Sequence, residues 1–480
     1  MEEEKKEIRT RFAPSPTGEL HIGAARTSLF NYVLAKKNKG KFIFRIEDTD
    51  KKKIKEKYIK RQYEDLVWLG LKPDESFAQK GPFGPYRQSQ RLEKYFKYLQ
   101  RLLSEKKAYY CFCSSHELNE EKENYIKEKG RKNYQYSRKC LNLTKDQIDS
   151  LLSKKKNYLI RLYINRERNY EFYDLLRGKI IFKGSDIEDF VLCRSDGLPL
   201  MNFVVVIDDY LMKISHVLRG EEHITNTSKQ LILYELFNWI PPKFCHIPLI
   251  LNSGKKKISK SKEKENYFQI IRNLRKLGYL NDAILNYLLF LGWHPKNTNK
   301  EIFTLKEAIK CFDIKNLQLH GAIFSIEKLN WYNNYYIKIM KKEMFEEYAW
   351  NFLKKAYKLN SEEREWSIKI AYLFRPRLNF FQELVRLSVF FFRIPKKVEV
   401  NFELFDFISK NLDRIISLLE KIENWNEVNI KEIVKYTDKS FLPLMREIIT
   451  NEKKGPSLIE IIYLLGKNET IFRLKQSKNN

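Results

Sequence analysis

Near the amino terminus stands Arg9-Thr-Arg11-Phe-Ala-Pro14-Ser15-Pro16-Thr-Gly18-Glu-Leu-His21-Ile-Gly23-Ala24. Residues 8–14 read as a buried strand, the Pro/Gly-punctuated segment as a loop, and residues 20–35 as a helix. In that helix apolar residues return at helical spacing: Ile22, Ala25, Leu29, then Tyr32 with Val33. The turn that opens a helix presents backbone N–H groups and the positive end of the dipole, a setting suited to phosphate. Gly23 has no Cβ and lets the backbone approach a nucleotide closely. Pro14, Ser15, Gly18, His21 and Gly23 are therefore the candidate nucleotide contacts.

Working outward, residues 42–46 read as a second strand that runs into Glu47-Asp48-Thr49-Asp50. An amphipathic helix follows through Ile59, Tyr63, Leu66 and Val67 and stops near Gly70 and Pro73. Strand–helix–strand–helix with short links predicts an α/β fold around a doubly wound parallel sheet. Ligands of such sheets sit at the carboxyl ends of the strands, where His21 and Glu47 both fall. Residues 114–157 are polar and rich in Lys, Glu and Asn, and sheet-like segments return at 158–164, 180–182 and 190–193. The stretch 109–190 thus reads as an insertion that splits the nucleotide fold. The sheet is predicted to resume with strands at 198–207, 214–218 and 246–251, with a helix at 227–237 between the last two. Beyond it nearly everything has helical period, including 280–291 and 305–312. The expected divisions are 1–108 and 191–255 for the two halves of the Rossmann-type domain, 109–190 for the insertion, 256–325 for a helical domain, and 326–480 for an all-helical region.

Far downstream, after an apolar strand at 247–251 and Asn252-Ser253-Gly254, comes Lys257-Ile-Ser-Lys260-Ser261. Two lysines three apart on a Gly/Ser-flanked loop suit the charge that builds on a leaving pyrophosphate. Lys260 is the expected phosphate-binding point charge, whereas Lys255, Lys256, Lys262 and Lys264 read as solvated. In the insertion, Cys111-x-Cys113 and Cys140 have metal-like spacing, yet three thiolates leave a tetrahedral zinc one ligand short. Tyr136, in a Tyr-x-x-x-Cys arrangement, and His116 are the candidates for the fourth. Three buried thiols acting as small hydrophobes are the other reading, and both stay open.

The chain has 480 residues, too many for one ordinary domain, and 43% hydrophobic with 14% aromatic residues is ample for packed cores. The formal charge of +29 suits a polyanion such as RNA. Lys, Asn, Ile, Tyr and Phe all have A/T-rich codons, so genome composition is a second source of the lysine excess. Six dispersed cysteines are too sparse for a disulfide scaffold and fit a reducing cytoplasm. The opening Met-Glu-Glu-Glu-Lys-Lys-Glu is unlike a signal or transit peptide, and no apolar run is long enough to span a bilayer. A soluble cytoplasmic protein is expected.

The two motifs together resemble the HIGH and KMSKS signatures of class I aminoacyl-tRNA synthetases, and the wording around them resembles glutamyl-tRNA synthetases of bacterial type. Further matches are Phe44-Arg-Ile-Glu-Asp-Thr-Asp50, Tyr86-Arg-Gln-Ser89, Arg194-Ser-Asp-Gly197, Asp208-Asp209, Arg219-Gly-Glu-Glu-His223 and Gly292-Trp293. They run in family order across residues 9–335 and thin out beyond. Ala24, Ile258 and Ser261 are small departures that remove no catalytic charge.

The resemblance implies Mg2+-ATP as cosubstrate, formation of glutamyl-adenylate, and acyl transfer to the terminal adenosine of tRNA(Glu). tRNA(Gln) stays open as a second acceptor, and a monomer is expected. His21, Gly23, Lys257 and Lys260 are the implied catalytic residues. Arginine's planar fork matches a carboxylate, and Arg11 and Arg219 are implied to bind the side-chain carboxylate of glutamate, with Glu47 on its amine. Asn202 belongs to the same wall. Met201 stands where the family usually has tyrosine, so the phenol's hydrogen bond has no donor there. The resemblance also casts 109–190 as acceptor-stem-binding, 256–325 as stem-contacting and 326–480 as anticodon-binding. The rival readings are a glutaminyl-tRNA synthetase, a glutamyl-queuosine tRNA synthetase, and an RNA-binding homologue that has lost catalysis. Arg219, the chain length and the intact motif residues argue against them in turn.

Overall fold

The computed structural model describes residues 7–50, 54–130, 134–252, 254, 267–296, 298–395 and 405–477. The chain divides into two compact units, one of residues 1–273 with 285–325, the other of 274–284 with 326–480.

The first unit is built on parallel strand pairs. β1 (Arg9–Phe12) leads through α1 (Ile22–Lys37) to β2 (Lys41–Phe44), which lies parallel to β1 with Arg11 opposite Ile43. Next come α2 (Glu56–Trp68), α3 (Leu92–Ser104), β3 (Ala108–Cys111), α4 (Ser115–Lys129) and α5 (Lys145–Ser153), followed by β4 (Leu159–Leu162), β5 (Asn169–Asp174), β6 (Gly178–Lys183) and β7 (Val191–Cys193). The fold closes with α6 (Met201–Leu211), β8 (His216–Gly220), α7 (Ile224–Leu236) and β9 (Lys243–Ile247).

β8 and β9 are parallel, with Arg219 opposite His246. The Ser215 amide donates to the Arg9 carbonyl at 2.9 Å, which brings the entry to β8 alongside β1. β1 is buried along its whole length, so its polar side chains need internal partners. Arg9 makes a two-pronged contact with Glu75 at 2.7 and 2.9 Å, and Thr10 donates to the Asn31 carbonyl of α1. Asn31 in turn donates to the Leu218 carbonyl at 3.0 Å, fixing α1 against the end of β8.

The stretch 109–190 contributes to two sheets. β3, β4 and β7 form a separate antiparallel sheet. The β5–β6 hairpin instead extends the parallel sheet, in the order β6-β5-β9-β8, through Asp174 opposite Phe244.

The strand predicted at 198–207 is a correction: that segment enters α6. Its run from Phe203 to Asp209 is buried without interruption. A helix covered on all sides has no polar face, so its sequence loses the helical period and imitates a core strand.

The second unit is helical from Ile326–Ile339 through Lys467–Gln476 among its described residues. Trp331 is 46% exposed, with the Lys328 ammonium 4.3 Å from its ring centre. Arg375 donates to the carbonyls of Ile337, Lys338 and Met340 and so ties two helices together. Among the described residues no helix is long and apolar enough to cross a membrane.

Candidate active site

At the carboxyl ends of the parallel strands lies a cavity of about 260 Å³. Its walls include Arg11 of β1, Gly23, Arg26 and Thr27 of α1, Glu47 after β2, Met201 of α6, Arg219 of β8 and Gln230 of α7. Five residues picked from sequence, Arg11, Gly23, Glu47, Met201 and Arg219, therefore share one enclosure.

The nucleotide side rests on the start of α1. His21 caps the helix from extended backbone, and its Nδ1 accepts the Gly23 amide at 3.2 Å. With Nδ1 used as an acceptor, the neutral ring carries its proton on Nε2, which meets Gln269 Oε1 at 3.0 Å. No acidic side chain occupies the first turn of α1, so the positive end of the dipole is left uncancelled there. A Cβ added at Gly23 would meet only the His21 ring, at 3.6 Å. The fold itself does not demand glycine there, and the space it leaves belongs to the cavity; this fits a phosphate group.

Pro14, Ser15 and Gly18 shape the β1–α1 connection outside the cavity lining. The Pro14 carbonyl accepts the Glu47 amide at 3.0 Å, Ser15 accepts the Thr17 amide, and Gly18 accepts Gln62 Nε2 at 2.7 Å. Lys257 and Lys260 lie outside the described residues. The segment beyond them returns to the site: Ile270 pairs antiparallel with His21, and Ile250, before them, lines the cavity.

The opposite wall is cationic. Arg11 is 6% exposed and its Nε donates to Asp209 Oδ1 at 3.3 Å. Arg45, fully buried, reaches the same oxygen at 2.5 Å and Glu47 Oε1 at 3.2 Å. Burial opposes the Asp209 charge, but the Arg11 and Arg45 guanidiniums outweigh it and hold its carboxyl below the usual range. For Glu47 the balance reverses: burial pushes its carboxyl up despite Arg45 and Arg11.

Arg219 is 8% exposed, and among the described residues its hydrogen-bond partners are all neutral. It donates to Thr227 Oγ1 at 2.7 Å, Gln230 Oε1 at 2.9 Å and His246 Nε2 at 3.3 Å. Burial, reinforced by repulsion from Arg11, brings its guanidinium down to about 9. Asn202 stands one step behind the wall, its Oδ1 accepting Gln230 Nε2 at 3.1 Å. Met201 places a thioether, 39% exposed, where no hydrogen can be donated. Sequence reasoning missed Arg45, Gln230 and His246 and gave Asp209 no role, although Arg45 and Asp209 both sit inside quoted family matches.

A second cluster lies at the end of β3. The sulfurs of Cys111, Cys113 and Cys140 fall within 4.8 Å of one another. Cys113 Sγ is 3.7 Å from Cys140 Sγ and 3.3 Å from Tyr136 Oη. Tetrahedral zinc with sulfur at about 2.3 Å sets sulfurs roughly 3.8 Å apart, so three thiolates and the phenol fit it. Hydrogen bonding from Cys140, against burial and helped by Tyr136 and Arg161, holds the Cys111 thiol below its usual range. His116 is not brought to the cluster; it is 88% exposed and faces Glu120 at 4.0 Å.

Comparison with known proteins identifies the family. Residues 7–331 match the family described as tRNA synthetases class I (E and Q), catalytic domain, and residues 342–478 match the anticodon binding domain. The chain is 41% identical to a glutamate–tRNA ligase of Geobacillus thermodenitrificans, over 98% of this chain and 99% of that protein. It is 39% identical to the glutamate–tRNA ligase of Bacillus subtilis, with the same coverage. A glutamate tRNA ligase from Elizabethkingia meningosepticum, crystallised in complex with its amino acid, superposes with a TM-score of 0.86 at 31% identity, over 99% of this chain and 100% of that one. The α/β catalytic fold, the helical carboxyl-terminal region and the near full-length identity point one way, and the chain belongs to the glutamate–tRNA ligases of the class I tRNA synthetase family.

Proposed function

We propose that the chain ligates L-glutamate to tRNA(Glu) in two ATP-dependent steps, and that glutamate and ATP meet in the cavity walled by Arg11, Gly23, Glu47, Met201 and Arg219. Arg219 carries this reading: a buried guanidinium with neutral partners, beside a second arginine. A cation kept without a protein counter-ion suits a dicarboxylic substrate, whereas the neutral amide of glutamine would leave it uncompensated.

In the first step an α-carboxylate oxygen of glutamate attacks the α-phosphorus of Mg2+-ATP. The bond from that phosphorus to the bridging oxygen breaks, giving glutamyl-adenylate and pyrophosphate. In the second step the 2′-OH of the terminal adenosine attacks the acyl carbon and AMP leaves. Arg11 and Arg219 hold the side-chain carboxylate and Glu47 the ammonium. The α1 amides and the Nε2–H of His21 meet phosphate oxygens, Gln269 giving up its contact. Pro14, Ser15 and Gly18 set the loop that holds His21 and Gly23, and Lys257 and Lys260 take the charge of the leaving pyrophosphate. No side chain becomes a nucleophile; orientation and fixed charge lower the barrier.

The same reading assigns the acceptor end of tRNA to 109–190, its stem to 256–325 and the anticodon to 326–480, in a monomeric cytoplasmic enzyme. A structural zinc held by Cys111, Cys113, Tyr136 and Cys140 would cross-link the segments around β3.

Charging of purified tRNA(Glu) and tRNA(Gln) with labelled glutamate, and in parallel with labelled glutamine, tests the reading. Label on tRNA(Glu) is expected, and the tRNA(Gln) arm reads the acceptor range. Transfer to neither, or preference for glutamine, overturns it. ATP–pyrophosphate exchange is expected to need tRNA; equal exchange without it rejects that part.

A further inference from the structure

We propose that Asp174 and His246 are positioning residues that aim Arg219 at the substrate carboxylate. The inference rests on the reading of Arg219 given above. Three adjacent strands carry the group: Arg219 on β8 and His246 on β9 are register partners, and Asp174 ends β5 beside them. Asp174 and His246 are fully buried. Asp174 Oδ2 lies 2.7 Å from His246 Nδ1 and accepts the His246 amide at 3.0 Å, while Oδ1 accepts the amides of Leu176 and Arg177 at 2.9 Å each.

An acceptor so placed fixes the imidazole proton on Nδ1 and leaves Nε2 as a bare lone pair. That lone pair meets the Nε–H of Arg219 at 3.3 Å and the Thr227 hydroxyl at 2.8 Å. Arg219 spends its Nη2 hydrogens on Thr227 and Gln230. Among the described residues its Nη1 makes no hydrogen bond, and its two N–H bonds are left for a ligand. The opposite tautomer would set an Nε2–H against the Nε–H of Arg219 and displace the fork.

A carboxylate directly on Arg219 would capture the fork that the substrate needs. Asp174 instead lies one imidazole away, so the fork is held by neutral acceptors. Phe244 lies 5.3 Å from the guanidinium, and Phe172 and Phe244 flank the His246 ring, which excludes water from the relay.

Asp174→Asn and His246→Gln test this in charging assays with tRNA present throughout. A rise of about tenfold in KM for glutamate is expected in each, because small misplacements of an orienting group are costly. The KM for ATP should stay within about twofold and kcat should be largely kept. In 15N imidazole spectra of the full chain, His246 of the parent should show a protonated Nδ1, and Asp174→Asn should yield mixed tautomers. A glutamate KM within twofold of the parent in the folded Asp174→Asn variant overturns the proposal, as does an equal loss for ATP. Should Asp174→Asn fail to fold, His246→Gln decides by the same kinetics. Arg219→Leu separates the two levels: no change in glutamate KM there refutes the carboxylate reading itself. A rise there without one in the relay variants refutes the relay alone.

Discussion

Replacing Arg219 by leucine should abolish efficient use of glutamate while leaving the fold close to its present stability. The structure sets both magnitudes. Burial and the neighbouring Arg11 bring the Arg219 guanidinium from 12.5 to about 9. At 1.36 kcal/mol per tenfold this is on the order of 5 kcal/mol of strain carried by the charged form in the free enzyme. Leucine removes that strain. It also removes charge-assisted hydrogen bonds to Thr227 and Gln230, each worth about 1.5–3 kcal/mol. The two nearly cancel, so the net change should stay within about 2 kcal/mol, a few degrees in melting temperature. Binding has no such compensation. Loss of a buried partner for a carboxylate costs about 3 kcal/mol or more, a factor of at least roughly 100 in kcat/KM. Charging assays with glutamate varied at saturating ATP and tRNA(Glu) measure this, and the KM for ATP should hold within about twofold. A glutamate kcat/KM within about threefold of the parent, in a variant that melts normally, would refute the reasoning.

Asp209→Asn strips the shared anion from Arg11 and Arg45; a loss of about 3 kcal/mol is expected, read as a fall of several degrees in melting temperature together with weakened glutamate use. The purified protein should carry about one zinc per chain by elemental analysis, and Cys140→Ala should lose it and lower the melting point; full retention of metal in that variant would exclude the four-ligand set. Stability should fall as pH drops below about 6.5, because burial and Arg219 bring His223 down to about 4. The sign follows from proton binding: the unfolded histidine takes up a proton near 6.5 and the folded one only near 4, so stability is complete above 6.5 and drains toward 4. His223→Asn should make the melting-temperature profile shallower between those limits, with His216 keeping its own share because burial and Lys243 also bring it down to about 4, and an unchanged slope would discount it.

Much of the site was legible because its residues lie next to local signals. Gly23 and His21 sit at a strand-to-helix junction announced by proline and glycine. Arg11 and Glu47 fall at the ends of apolar runs, where an open parallel sheet binds its ligands. What stayed hidden has non-local causes. Segment 198–207 imitates a strand because α6 is buried on every side. Asp174 and His246 are 72 residues apart; their meeting depends on a hairpin inside the supposed insertion adding itself to the sheet, which no periodicity reports.

The two arginines of the wall solve opposite problems. Arg11 shares Asp209 with Arg45, so its charge is balanced within the protein and its guanidinium is held in place whether or not a ligand is present. Arg219 is placed by acceptors without charge, so its balance is left incomplete. A substrate carboxylate entering between them gains a fixed partner from the first and relieves the second. Selectivity then follows from desolvation: glutamine fills the same volume but brings no charge, so the strain on Arg219 persists in its complex. On the proposed reading, a site with both arginines neutralised would bind the acid and the amide more evenly, and the asymmetry between Arg11 and Arg219 is expected to enlarge the discrimination.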